Sequence, residues 1–264
     1  MISRWYKSKI MLVKKILTLL IIVMAAPVCL SSPSVGDKEL VALSGKLLLN
    51  VKSDLPTEAI ELQLSKLKMT DLMAALGDDN AKKTFWINIY NAYFQILVTR
   101  DKKTISEIFT GEFFTIAQTK FSLDDVEHGI LRRYRFKYSL GYFPQFFPSQ
   151  TIKDLAVSKI DFRIHFALNC GAVSCPPIAF YDYDKIDKQL ETAAYSFLKN
   201  DTEINTTNKT VRISKILQWF KADFGGESGI KTILLKYLKK DFSDYSVSYK
   251  EYNKSEKLKN FSID

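Results

Sequence analysis

The stretch from Asp78 to Arg100 constrains the fold more than any other part of the chain. Phe85, Trp86, Ile89, Tyr90, Tyr93, Phe94, Ile96 and Leu97 recur with helical spacing and cover nearly the whole circumference. A helix that is apolar all round lies buried at the centre of a domain. Asp78, Asp79 or Asn80 caps its start, where acids suit the positive end of the helix dipole. Asn88 and Asn91 stand three apart on one face of this helix. A buried amide without a partner costs about 1–3 kcal/mol. These two side chains must therefore hold neighbouring backbone or belong to a site.

The flanking sequence supplies what packs on that helix. Asp37 to Val51, Thr57 to Met69 and Thr70 to Leu76 read as helices ahead of it. Phe113 to Phe121 reads as a strand or hairpin. Ser122 then caps a helix running to Arg135, with Asp125 at the capping-box position. Tyr138 to Ser149 is a loop rich in Phe, Gly and Pro, and Ile164 to Leu168 reads as a short buried strand. Asp184 to Asn200, Lys215 to Phe224 and Ser228 to Leu238 read as helices. Thr202 to Ile213 reads as a hairpin and Asp244 to Tyr249 as a last strand. No internal repeat or low-complexity tract interrupts this order. Helices gather toward the N-terminus and strands fall in the second half, which favours α+β over a regular βαβ alternation. The expected fold is one α+β domain over residues 37–264. Helices predominate, and a small, mostly antiparallel sheet in the second half packs on the central buried helix.

Residues 1–31 read differently. Arg4, Lys7, Lys9, Lys14 and Lys15 form a basic region without acids, and Ile16 to Ala26 is apolar except for Thr18. Pro27 ends the run, and Cys29-Leu30-Ser31-Ser32 offers small residues for cleavage near Ser31. This is the layout of a secretory signal peptide, with an apolar core shorter than the roughly 20 residues that span a bilayer. Residues 32–36 read as a linker. The expectation is an exported, periplasmic or extracellular protein. An uncleaved anchor and a lipoprotein ending on Cys29 are the lesser alternatives. In that reading the membrane touches the chain only through an uncleaved signal segment. The net charge of +9 falls to +4 once the five basic residues of the leader are set aside. That excess is too small and too dispersed for nucleic-acid binding. The lysine-rich stretch from Lys250 to Lys259 is diluted by Glu251 and Glu256 and reads as solvated surface.

Few polar residues stand out against the apolar background. The candidate catalytic residues are Cys170, Cys175, Glu127, His128, His165 and Asn91. The candidate binding residues are Asn88, Arg132, Arg163, Asn169 and Ser174, with both arginines reading first as ion-pair partners of buried acids. His128 and His165 are the two histidines of the chain, hence the two available imidazole bases for a cysteine nucleophile. Cys170 and Cys175 lie five positions apart. In an exported chain they read as a disulfide, a buried inert pair or a reactive thiol, and spacing alone does not choose. A zinc site lacks the usual tight pairing of ligands, so no metal is expected. No GxGxxG, Walker, GxSxG or HExxH motif occurs, so neither a nucleotide nor another cofactor is called for.

At these residues the chain resembles a known family, the uncharacterised family numbered 547 among the domains of unknown function. Three runs carry the likeness: Phe85-Trp86-Ile87-Asn88-Ile89-Tyr90-Asn91-Ala92, Ser122 through Arg132, and Arg163-Ile164-His165-Phe166-Ala167-Leu168-Asn169-Cys170-Gly171-Ala172-Val173-Ser174-Cys175-Pro176-Pro177. Val211-Arg212-Ile213-Ser214 and Asp223-Phe224-Gly225 also fit, so the likeness spans about 80–240. The resemblance implies that the histidine and cysteine segments share one arrangement, and it implies no activity. By fold-level analogy a central helix followed by a histidine-bearing sheet is similar to papain-like and transglutaminase-like enzymes. Their nucleophilic cysteine starts the central helix, where this chain has none. The leading expectation is a non-catalytic envelope or extracellular binding or interaction domain, with partner and ligand unassigned. The alternative is a thiol-dependent hydrolase or acyl-transfer enzyme, in which Glu127 or Asn91 orients the imidazole.

Overall fold

The computed structural model describes residues 35–262. The segment read as a signal peptide, and residues 32–34 of the expected linker, lie outside the described residues. Val35 and Gly36, the rest of that linker, already belong to the first helix, α1 (Val35–Lys52). Next come α2 (Glu58–Lys66), α3 (Met69–Ala75) and the central helix α4 (Asp79–Gln95). The Asp78 side chain accepts from the Ala81 amide at 2.8 Å and fixes where α4 starts. Every residue of α4 from Thr84 to Gln95 is buried. The helix then loosens into a π-helical turn, Ile96–Arg100.

The α+β class holds. After α5 (Ile105–Ile108), strands β1 (Phe114–Ile116) and β2 (Thr119–Phe121) form an antiparallel hairpin. It packs on α4 through Phe114 against Tyr93, with ring centroids 4.2 Å apart, and Phe121 against Trp86 at 5.3 Å. Helix α6 (Gln150–Leu155) and α7 (Ile186–Asp201) follow. Strands β3 (Glu203–Asn205) and β4 (Thr210–Ile213) pair antiparallel, as expected for that hairpin. Helices α8 (Ile216–Trp219) and α9 (Gly226–Leu238) then lead to β5 (Ser246–Tyr249), which joins β4 in parallel. The second-half sheet is therefore mixed, with one antiparallel and one parallel pairing. Its buried residues Val211 and Ile213 share a cluster with Phe166, Leu198, Phe224, Ile230 and Leu234. The α4 side chains belong to the other cluster, together with α1 and the β1–β2 hairpin.

Three local expectations are corrected. Ile164 to Leu168 is not a strand, because Phe162–Phe166 forms a 3-10 helix. The Asp161 side chain accepts from the Arg163 amide at 3.1 Å, and Ala167 N–H donates to Ile164 C=O at 2.9 Å. The backbone thus pairs within itself rather than with a neighbouring strand. The helix expected over Ser122 to Arg135 is a π-helical segment, Asp125–Leu131. The expected capping pair is present, with Ser122 N–H donating to Asp125 Oδ2 at 2.9 Å and Asp125 N–H to Ser122 Oγ at 3.1 Å. At the other end Arg133 and Tyr134 take φ of +49° and +50°, which ends the helix short of Arg135. The helix expected from Lys215 to Phe224 shrinks to α8, and Trp219 is followed by turns.

The two asparagines of α4 hold backbone. Asn91 Nδ2 donates to Ala167 C=O at 2.9 Å, and Asn169 N–H donates to Asn91 Oδ1 at 2.9 Å. Asn88 does the same to Tyr181, donating to its C=O at 2.9 Å and accepting from its N–H at 3.1 Å. Each amide satisfies two buried backbone groups, so its loss strands both. Asn91→Ala is expected to lower stability by about 3 kcal/mol in urea unfolding. Asn50→Ala removes a single exposed bond to Pro56 C=O and is expected to cost under about 1 kcal/mol. Equal effects would show that Asn91 is not a clamp.

Candidate functional site

The two clusters meet at the 3-10 segment. Ile164 enters the first and Phe166 the second. His165, between them, faces a cavity of about 440 Å³. Glu127, His128, Cys170 and Cys175 line the same cavity, joined by Tyr90, Trp219, Phe220 and Tyr252. Five of the candidate catalytic residues therefore converge. Asn91 is not among the lining residues and acts on the Ala167–Asn169 backbone as described above.

One carboxylate organises the wall. Asp223 Oδ2 lies 2.9 Å from His165 Nε2 and accepts from Arg132 Nε at 2.6 Å, and Oδ1 accepts from Nη2 at 3.3 Å. Arg132 Nη1 lies 2.7 Å from His128 Nδ1. A guanidinium only donates, so His128 Nδ1 must accept and its proton sits on Nε2, 3.6 Å from Asp124 Oδ1. Phe220 covers the network: the His165 ring stacks on it at 4.0 Å and the Arg132 guanidinium lies 4.4 Å from its centroid. Gly141 closes the other side at φ +86°, where a Cβ would meet Asp223 Oδ1 at 2.4 Å.

Burial sets the protonation states. It lowers His128 well below the ordinary imidazole value, and Arg132 adds to the effect. It lowers His165 too, although Asp223 opposes the shift. Burial alone would raise Asp223, yet His165 and Arg132 outweigh it and hold the carboxylate below its usual range. Glu127 goes the other way. Burial pushes it up to about 7, because Arg132 and a hydrogen bond from Tyr90 OH at 3.2 Å only partly offset desolvation.

Cys170 and Cys175 are joined as a disulfide, with Cα atoms 6.1 Å apart. The Tyr252 hydroxyl lies 3.0 Å from each sulfur. Gly171 follows at φ +71°, where a Cβ would strike Phe94 Cε1 at 2.6 Å. Among the described residues neither imidazole is hydrogen-bonded to a sulfur. His165 Nδ1 carries no hydrogen bond there either, so one imidazole nitrogen stays uncommitted. No group of three or more His, Cys, Asp or Glu is placed to hold a metal ion among the described residues.

The candidate binding residues are placed elsewhere. Arg132 lies behind the wall, fully buried. Arg163 pairs with Asp161 at 2.8 Å, Asp187 at 2.6 Å and Glu191 at 3.3 Å. Asn88 holds Tyr181. Asn169 donates to Pro176 C=O at 2.7 Å and accepts from Gly171 N–H at 2.9 Å, shaping the disulfide loop. Ser174 Oγ accepts from Asn253 N–H at 2.9 Å and lines a second cavity of about 730 Å³. Sequence reasoning missed Asp223, Tyr252, Trp219 and Phe220 as site residues, and placed Tyr90 in the core alone. The one available signal was an acid set among aromatics in Trp219-Phe220-Lys221-Ala222-Asp223-Phe224.

Two outcomes follow from these states. Asp223→Asn leaves a buried guanidinium uncompensated and is expected to cost about 3–5 kcal/mol in urea unfolding. Glu127 binds its proton more tightly folded than unfolded, so its contribution to stability falls as pH rises from about 4.5 through about 7. Glu127→Gln, measured against the native chain, should therefore gain roughly 2 kcal/mol of relative stability between about pH 5 and pH 8. A pH-independent difference would contradict the buried-carboxyl assignment.

No curated protein and no solved structure matches the chain. A family model does match, over residues 74–198, covering α4, the π-helical segment and the disulfide loop. Val211 to Ser214, Asp223 and Tyr252 lie beyond the matched segment. Residues 74–198 thus match the family described as protein of unknown function, DUF547.

Proposed function

We propose that the domain is a non-catalytic binding module of the envelope or extracellular space, and that its cavity takes a ligand bearing an organic cation. Export is supported by the layout of residues 1–31 and by a cysteine pair joined as a disulfide, a bond that persists in oxidising compartments. The observation that carries the ligand class is Glu127. It has no ion pair among the described residues, yet it lines a cavity with Tyr90, Trp219 and Tyr252. The other charges there cancel. Asp124 is paired with Lys137, Arg132 with Asp223, and both imidazoles are held neutral. A cation among aromatic faces beside a carboxylate that has no ion pair gains both Coulomb and cation–π energy.

Benzyltrimethylammonium, benzyl alcohol and benzoate separate charge from shape, and calorimetry reads their binding. The ammonium is expected to bind about tenfold or more tighter than the alcohol, with benzoate weakest. Burial, with smaller effects of Arg132, Asp124, Tyr90 and Asp223, brings Glu127 to about 7 and leaves it half-ionised near neutrality. Affinity for the ammonium should therefore rise between about pH 6 and pH 8. Glu127→Gln should abolish both the preference and the pH dependence. Benzoate binding as tightly as the ammonium would overturn the reading.

A second reading has its own support. Asp223 orients His165 through Nε2 and leaves Nδ1 uncommitted, and the ring lines the same cavity as both cysteines. After reduction, Cys175 as nucleophile and His165 as base would form a thiol–imidazole pair for ester or amide cleavage. Thiol titration should find two additional thiols after reduction. Hydrolysis of an activated ester by the reduced protein, lost in both Cys175→Ser and His165→Asn, would favour this reading over the first.

A further inference from the structure

The loop that follows the π-helical segment exposes apolar surface on a scale unmatched elsewhere among the described residues. Seven of the seventeen exposed large hydrophobic residues fall within positions 136–147. Tyr138 is 77% exposed, Phe143 66%, Phe146 86% and Phe147 96%. The loop is not simply unformed. Phe136 N–H donates to Phe143 C=O at 2.9 Å, Gln145 N–H to Tyr134 C=O at 2.7 Å, and Ala222 N–H to Leu140 C=O at 3.0 Å. Its base is pinned while its rings are held in solvent, an arrangement that favours contact with another surface.

The surrounding charge narrows what that surface is. From His128 to Lys153 the sequence carries five basic residues and no acid. Arg132 and Lys137 are paired with Asp223 and Asp124. Arg133, Arg135 and Lys153 have no ion pair among the described residues, and Arg133 and Lys153 are exposed. Pro144 and Pro148 lack amide donors, which disfavours docking as an added strand. A second copy would bring like charges together. Aromatic rings flanked by unpaired cations match the interface of an anionic bilayer, where the rings enter the headgroup layer and the cations meet lipid phosphates.

We propose that the loop of residues 136–147 inserts into anionic lipid surfaces, a membrane contact separate from any made by the N-terminal segment. Phe147→Trp in the full chain tests it, because an indole at this 96% exposed position reports on the loop alone once the native spectrum is subtracted. With vesicles of equal parts phosphatidylglycerol and phosphatidylcholine, emission of the added indole should shift to the blue. Tail-brominated lipid should quench it. Pure phosphatidylcholine vesicles or raised salt should weaken both effects. Adding Phe143→Ser and Phe146→Ser should reduce partitioning, read through that indole, by about tenfold or more. An indole that keeps its aqueous emission while the chain is vesicle-bound would overturn the proposal. So would one that becomes buried without lipid as the chain self-associates.

Discussion

The Asp223 carboxylate is the interaction on which the rest of the site depends. It reaches across 91 residues to Arg132 and across 58 to His165, and it sits almost fully buried between them. A buried guanidinium is tolerated only when its charge is met and its donors are satisfied. Here one acid meets the charge, one imidazole takes a further N–H, and Phe220 covers the plane. The same bonds fix the orientation of both histidine rings. The cavity wall is therefore a consequence of neutralising Arg132, and the tautomer of His128 follows from it without further assumption.

The second organising feature is the seam between the clusters. In the 3-10 segment Phe162–Phe166, Ile164 and Phe166 point into different clusters, and His165 is left at the junction. Asn91 fixes the downstream end of that segment from within α4, by taking both Ala167 C=O and Asn169 N–H. Asn169 then shapes the loop that closes the disulfide. A chain of hydrogen bonds thus runs from the most buried helix to the cavity rim. It explains why an amide, rather than another apolar side chain, stands in the middle of α4.

Much of this was legible beforehand, for reasons that differ by residue. Helix α4 was legible, with Asp78 as one of three candidate caps, because periodicity and capping are local properties. Asn88 and Asn91 were legible as anomalies, since an amide inside an apolar helix needs a partner. The strand read over Ile164 to Leu168 failed because a short apolar run does not distinguish a strand from a single turn held by a neighbouring acid. The π-helical form of Asp125–Leu131 has no sequence signal beyond its cap. Asp223 and Tyr252 were missed as site residues because their roles arise from partners 91 and 77 residues away, and the aromatic setting of Asp223 does not name those partners. Five cavity residues were singled out by residue type alone. The acid that arranges them was not, since one surface-like aspartate resembles any other until the fold is known.

Nitrogen-15 NMR of the two imidazoles across a pH titration tests the central claim most directly. Both rings should titrate below the usual imidazole midpoint of about 6.5, His128 well below it, with His128 protonated on Nε2 and unprotonated on Nδ1. A His128 that titrates at or above that midpoint, or that carries its proton on Nδ1, would contradict the closed Arg132–Asp223 arrangement.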